Sequence, residues 1–147
     1  MKRLVPAVLV AMCCPAVPAA ARDTHHMLPV QAALSTPAAQ QKLDRGVKLY
    51  FGNQKHPRVA VSHGEWSTNK KTNAFNKSDR EACEWVFLGA VLELQERARK
   101  QGGDAVINIK SNYKNIETAS DFEYMCGAGA LMAGVALKGT VVKLGGK

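Results

Sequence analysis

Apolar and polar positions follow two distinct periods between Ser78 and Tyr113. Cys83, Phe87, Ala90, Leu94 and Ala98 recur at the three-to-four spacing of one helical face, and Val86 and Val91 broaden it. Trp85, Leu88 and Leu92 lie on a second flank. The spacing predicts a helix that is buried in its first half and keeps a solvated face along Glu93, Gln95, Glu96, Arg97, Arg99 and Lys100. Its start is a capping box: Ser78 can accept from the N–H three residues on while Glu81 reaches back to the Ser78 N–H. Asp79 adds a negative charge where the helix dipole favours one. Gln101-Gly102-Gly103 ends the helix, since glycine accepts the left-handed conformation of a C-cap. The period then becomes two, with Ala105, Ile107, Ile109 and Tyr113 against Asn108, Lys110 and Asn112, which predicts a half-buried strand packed under the helix.

Elsewhere the pattern is weaker. Residues 22–45 are poor in aromatics and read as a leader or linker with one short helix, opened by Thr36-Pro37 and running to Leu43. Val47, Leu49 and Phe51 alternate with Lys48 and Tyr50, which predicts a strand over 46–52. Residues 57–63 are expected as its hairpin partner. Ser67 to Lys77 is polar, with Phe75 its one large apolar residue, and reads as a loop. After a turn region over 115–120, Phe122, Tyr124 and Cys126 alternate with Glu123 and Met125 in another strand. Small residues fill 127–137, and 135–144 reads as a final strand broken at Gly139. The expected architecture is α+β: residues 46–147 form a single domain in which one long helix packs on a mostly antiparallel sheet of about five strands.

The first residues change the picture of compartment. Met1-Lys2-Arg3 is a basic start, Leu4 to Cys14 an apolar run, and Ala19-Ala20-Ala21 a small-residue end, so residues 1–21 read as a signal peptide cleaved after Ala21. The apolar run is about half of the roughly 20 residues that span a bilayer, so no transmembrane segment is expected. Met12 before Cys13, and Cys13 before Cys14, occupy the place where lipid attachment wants a small residue, so a soluble periplasmic product is favoured over a lipoprotein. The formal charge of +8 falls to about +6 without Lys2 and Arg3, and the remainder stays basic. That remainder keeps two cysteines, Cys83 and Cys126, an even number in an exported chain, which favours a disulfide. Closing a loop of about 44 residues is worth roughly 4 kcal/mol in the chain-entropy model. The alternative is two buried, unpaired thiols.

Candidate chemistry is sparse. His25 and His26, near the expected new N-terminus, could hold Cu or Ni through imidazoles and backbone amides. Cleavage after Ala21 puts His25 fourth, one place late for the amino-terminal copper and nickel motif, and they stay weak metal candidates. His56 and His63 flank a strand and read as structural or surface residues. Zinc-finger cysteine spacing is missing from the expected mature chain, as is the Gly-x-Ser-x-Gly elbow of serine hydrolases. Asp121 and Glu123 read as solvated charges. Gly134 to Gly139 has the glycine spacing of a phosphate loop, but Thr140 stands where the lysine must be and a strand follows. No catalytic residue, cofactor or enzymatic activity is expected. Lys70, Lys71, Lys77 and Arg80, with Trp66 and Phe75 nearby, form a basic patch suited to anionic surfaces; in an exported protein nucleic acid is not the expected partner.

The helix, Gly102-Gly103, Asp104-Ala-Val-Ile-Asn-Ile109, a turn and the terminal Gly134-Val-Ala-Leu-Lys-Gly-Thr-Val-Val142 resemble the small α+β domains of the YbjQ heavy-metal-binding family and of the RcsF envelope stress lipoprotein. The segments Phe51-Gly-Asn-Gln-Lys-His-Pro57 and Thr68-Asn-Lys-Lys-Thr-Asn-Ala-Phe-Asn-Lys-Ser78 are similar to a group of uncharacterised exported proteobacterial proteins, often labelled excinuclease ATPase subunit. The failed phosphate loop and the signal peptide contradict that label. The resemblance spans residues 47–144 and implies a helix on a small sheet, envelope placement and RcsF-like use of disulfides. RcsF itself has two disulfides and a lipid anchor, whereas this chain can form one disulfide. The expected function is a non-enzymatic periplasmic binding or envelope-sensing module, its partner an unnamed envelope protein or small ligand. A periplasmic metal-binding protein is the alternative.

Overall fold

The computed structural model of the chain describes residues 14–16 and 21–146. The expected signal peptide lies outside the described residues, apart from 14–16 and Ala21. In chain order the elements are β1 (Thr24–Pro29), α1 (Val30–Leu34), α2 (Pro37–Lys42), β2 (Lys48–Phe51), β3 (Val59–Asn73), α3 (Asp79–Lys100), β4 (Ala105–Tyr113), β5 (Ile116–Thr118), β6 (Glu123–Ala128) and β7 (Met132–Leu144). The fold is α+β, with one mixed sheet of seven strands.

β7 is the spine of the sheet. Its 13 residues are mostly apolar and mostly buried, because side chains on both faces of the strand are covered: Val135, Leu137 and Val141 under α3, and Val142 with Ala105 and Ile107 on the other side. β3 runs antiparallel along one edge for its whole length, from Asn73 opposite Met132 to Val59 opposite Leu144. The other edge is shared: β6 pairs at Ala133 and Gly134, and β4 pairs between Leu137 and Val142. From this fork one branch continues through β6 to β1, antiparallel, and the other through β4 to β2, parallel, and to β5, antiparallel. At the fork the Met125 N–H donates to Oγ of the buried Ser111 at 2.7 Å, a side-chain bond in place of the ladder bond that the divergence removes.

α3 covers one face of this sheet. Glu81 N–H donates to Ser78 Oγ at 3.1 Å, one bond of the expected capping box. At the other end Gly102 takes a φ of 77°, and Gly103 N–H reaches back to the Ala98 carbonyl at 2.8 Å. Cys83, Phe87, Ala90, Val91, Leu94 and Ala98 are fully buried and pack on Val106, Ile109, Tyr124, Cys126, Val135, Leu137 and Val141. Phe87 stacks on Tyr124 with ring centroids 4.0 Å apart. Of the second flank, Leu88 is buried, while Trp85 stays 49% exposed under the Lys42 ammonium. Gln95, expected on the solvated face, is buried: its amide donates to the Asp44 and Val47 carbonyls and accepts from the Asp44 N–H, tying the turn before β2 to the helix.

Several expectations are corrected. The sheet has seven strands rather than about five. Residues 22–45 are no loose leader: β1 pairs with β6, Val30, Ala33 and Ala39 are buried, and α1 precedes the expected short helix, α2, whose cap is Thr36 accepting from Ala39 N–H. β2 and β3 are no hairpin, because β2 pairs parallel with β4 and β3 pairs with β7. Most of the expected loop over 67–77 belongs to β3, a strand exposed on much of both faces and therefore without an alternating signature. Residues 116–118, expected within a turn, form β5. β4 does not keep one phase. Asn108 adopts a φ of 51° and the register with β7 slips there, so Ala105 and Ile107 face away from α3 while Val106 and Ile109 face it. Phe122 precedes β6 and is 75% exposed rather than sharing the buried side of Tyr124. Gly139 does not break β7: a Cβ there would lie 2.6 Å from Val106 Cγ1, so the glycine admits β4 at close range.

Candidate functional site

The densest assembly of chemically distinctive side chains is where the first turns of α3 meet β6 and β1. Cys83 projects from the second turn toward the sheet, and Cys126 shares the helix-facing phase of β6 with Tyr124 and Ala128. The two are bonded, with Cα atoms 5.9 Å apart, inside the usual disulfide range, and both are fully buried. Cys126 stands opposite His26 in the β1–β6 register, so the staple lies directly beneath the edge strand.

One helical turn before Cys83, Asp79 grips that strand from above. Its carboxylate accepts both Arg22 guanidinium nitrogens, at 2.8 and 3.0 Å, and His26 Nε2 at 2.8 Å. The Arg22 bonds, with His26 second, hold the Asp79 carboxyl down at about 2. On the opposite face Asp23 does the converse work: it accepts from Lys114 Nζ, from the Tyr113 hydroxyl at 3.0 Å and from His25 Nε2 at 3.2 Å. Lys114 is the main cause of its carboxyl also lying at about 2. The His25 ring meets Tyr113 edge-on with centroids 5.2 Å apart, and the Tyr113 phenol is pushed up by burial and by Asp23.

His25 and His26 therefore sit in a strand rather than in a tail, on opposite faces, each engaged by its own carboxylate. The structure does not bring the two imidazoles to one chelate. Among the described residues no group of three or more His, Cys, Asp or Glu could hold a metal ion. His56 packs against Tyr50, its Nδ1 2.7 Å from the Pro57 carbonyl oxygen. The glycines of the near-miss phosphate loop lie inside β7.

The basic residues of the expected patch each have a local partner or border a concavity. Lys70 pairs with Glu93 of α3 at 2.6 Å, Arg80 with Glu84 at 2.9 Å, and Lys77 Nζ donates to the Asn73 carbonyl at 3.3 Å. Lys71 lies between two concavities. One is a groove of about 500 Å³ between β3 and α3, lined by Lys70, Trp85, Gly89, Glu93 and Arg97. The other, about 600 Å³, opens on the far face beside Tyr113, Lys114, Leu131 and Met132. Tyr113 lies flat over Gly127, where a Cβ would come within 2.1 Å of its hydroxyl. Trp66 turns toward α3 under the Arg97 guanidinium, 4.2 Å from the ring centroid.

The clamp residues Arg22, Asp23 and Asp79 had no local sequence signal as a group, since 57 positions separate Arg22 from Asp79. Only the recruitment of β1 to the sheet joins them. No family model matches the chain, and none of the curated proteins does. Among solved structures, the chain is similar to a protein of unknown function from Pediococcus pentosaceus that belongs to the DUF74 family, with a TM-score of 0.49 and 14% identity over 69% of this chain and all of that one. At that score the likeness carries no argument about this chain.

Proposed function

We propose that the protein is a non-enzymatic binding or envelope-sensing module of RcsF-like type that works in the periplasm after removal of residues 1–21. The observation that carries this reading is the fully buried Cys83–Cys126 bond. Such a bond persists in an oxidising compartment and rarely in a reducing one. It staples α3 to β6 and leaves neither thiol for catalysis. The clamp agrees with the expected cleavage position, because Arg22 and Asp23, the first residues after Ala21, are already engaged by the fold. Two surfaces suit an envelope protein or small ligand: the groove between β3 and α3, and the outer edge of β3, which among the described residues pairs with no strand. Intact mass and thiol titration of the unfolded, unreduced periplasmic product are the test. A chain beginning at Arg22 without a titratable thiol is expected. A lipid on Cys13 or Cys14, a start before residue 15, or two reactive thiols would sink the reading.

A periplasmic metal-binding protein is the second reading, favoured by the orientation of His25. With Nε2 directed at the Asp23 carboxylate, Nδ1, which among the described residues has no hydrogen-bond partner, is left to bind a metal. Incubating the purified protein with Zn, Cu and Ni and measuring bound metal tests it; no bound metal would dismiss it.

A further inference from the structure

We infer that Met27, Met125 and His25 form a soft-donor site for a monovalent copper ion on the face of β1 and β6 that α3 does not cover. The inference deepens the metal-binding reading and rests on it. The chain has five methionines, of which Met1 and Met12 fall in the expected signal peptide. The other three, Met27, Met125 and Met132, all take the phase opposite the helix. In β6 the buried Tyr124, Cys126 and Ala128 face α3 and Met125 points away; in β7 the buried Ala133, Val135 and Leu137 face it and Met132 points away. In β1 His26 reaches Asp79 of α3, so His25 and Met27 project from the other side.

Register then brings donors together. Met27 stands directly opposite Met125, and His25 opposite Gly127. Opposed side chains have Cβ atoms about 4.5 to 5.5 Å apart and diagonal neighbours about 7 to 8 Å, within reach of two flexible thioethers and an imidazole. Thioether sulfur is a neutral, soft donor that suits Cu(I) and offers little to Zn(II), Ca(II) or Mg(II). The third donor is pre-oriented, because Asp23 holds His25 Nε2 at 3.2 Å and Tyr113 holds the ring edge-on. The thiols that would otherwise capture Cu(I) are tied up in the disulfide. A packing role is the weaker account of the pair: Met27 is 38% exposed, and among the described residues no helix covers this face, where β-branched or aromatic residues suit a pleated surface better.

The test uses the full chain carrying Cys13→Ser and Cys14→Ser, so that no free thiol competes, in an anaerobic Cu(I) titration against a chromogenic chelator. The expected result is a tight Cu(I) lost in the Met27→Leu/Met125→Leu variant, kept in Met132→Leu, weakened about 10- to 100-fold by Asp23→Asn, which removes the partner orienting His25, and weakened at least as much by His25→Ala. Leucine conserves the volume, so an unchanged melting curve certifies the fold of the double variant. X-ray absorption of the loaded protein should show sulfur and nitrogen neighbours together. Equal Cu(I) retention by parent and double variant, or displacement of Cu(I) by stoichiometric Zn(II), would overturn the site. Binding of Zn or Ni without Cu(I) would sink this site and leave the broader metal-binding reading standing, whereas intact mass of the periplasmic product judges export separately.

Discussion

β1 and β3 are both edge strands, and they are held in contrasting ways. β1 has six residues. It is fixed by attachments distant in sequence: the ladder to β6, the Asp79 clamp, the contacts of Asp23 with Tyr113 and Lys114, and the disulfide beneath it. β3 has 15 residues and rests chiefly on a long ladder to β7, interrupted by two register shifts, with Trp66 packed on the core and exposed pairs such as Lys70–Glu93 along its side. A short edge becomes rigid when several groups converge on it, whereas a long one can be held mainly by backbone pairing and still present open N–H and C=O groups. The staple lies at the first kind of edge, and the docking surface proposed above for an envelope partner lies at the second.

The largest effect is expected at the shared core. Phe87→Ala removes the partner of Tyr124 and Phe51 and should destabilise the fold by about 3 to 5 kcal/mol in chemical denaturation, loosening both edges together. Cys126→Ala is expected to cost about 2 to 5 kcal/mol by the same assay and to separate the edges. Amide exchange should quicken in β1 and β6 first while β3 stays protected, and uniform quickening would show that the staple serves the whole sheet.

Acid should act on β1 more gently. The Asp79 and Asp23 carboxyls titrate at about 2 in the folded chain against an ordinary 3.8, so as pH falls the unfolded chain takes up the protons first. The stability they contribute is present above about pH 4 and is lost as pH falls through 2. Exchange of the β1 amides between pH 5 and 2, with the β3 amides as reference, measures it; equal loss in both strands would refute a local clamp. The smallest effect is expected on the other edge. Lys70→Ala should change stability by less than about 0.5 kcal/mol, because its ion pair is exposed on both sides; a larger loss would mean that this pair, and not only Trp66, ties β3 to α3.

Much of α3 and its pairing with β6 was legible in the sequence, because the signals are local. Ser78 caps within one turn, Gly102 and Gly103 end the helix where they stand, and the helical phase alone places Cys83 with Phe87 on the buried face. The candidate site was legible only in fragments. Cys83, Cys126, His25 and His26 could be named, but not that the histidines point to opposite faces, nor that Asp79 and Asp23 hold one each.

By itself the sequence determined the helix, its caps, a terminal strand over part of β7 and the even cysteine pair. These follow from propensity and periodicity over a few consecutive residues. Tertiary structure alone decided the remainder. β1 becomes a strand because β6 offers it an edge, and β2 pairs parallel with β4 because α3 and the following turn return the chain to that side. β3 stays extended over polar residues because β7 satisfies its backbone, and β4 changes phase at Asn108. A ladder hydrogen bond is the same for every side chain, so pairing between distant segments leaves almost no mark on the residues that make it.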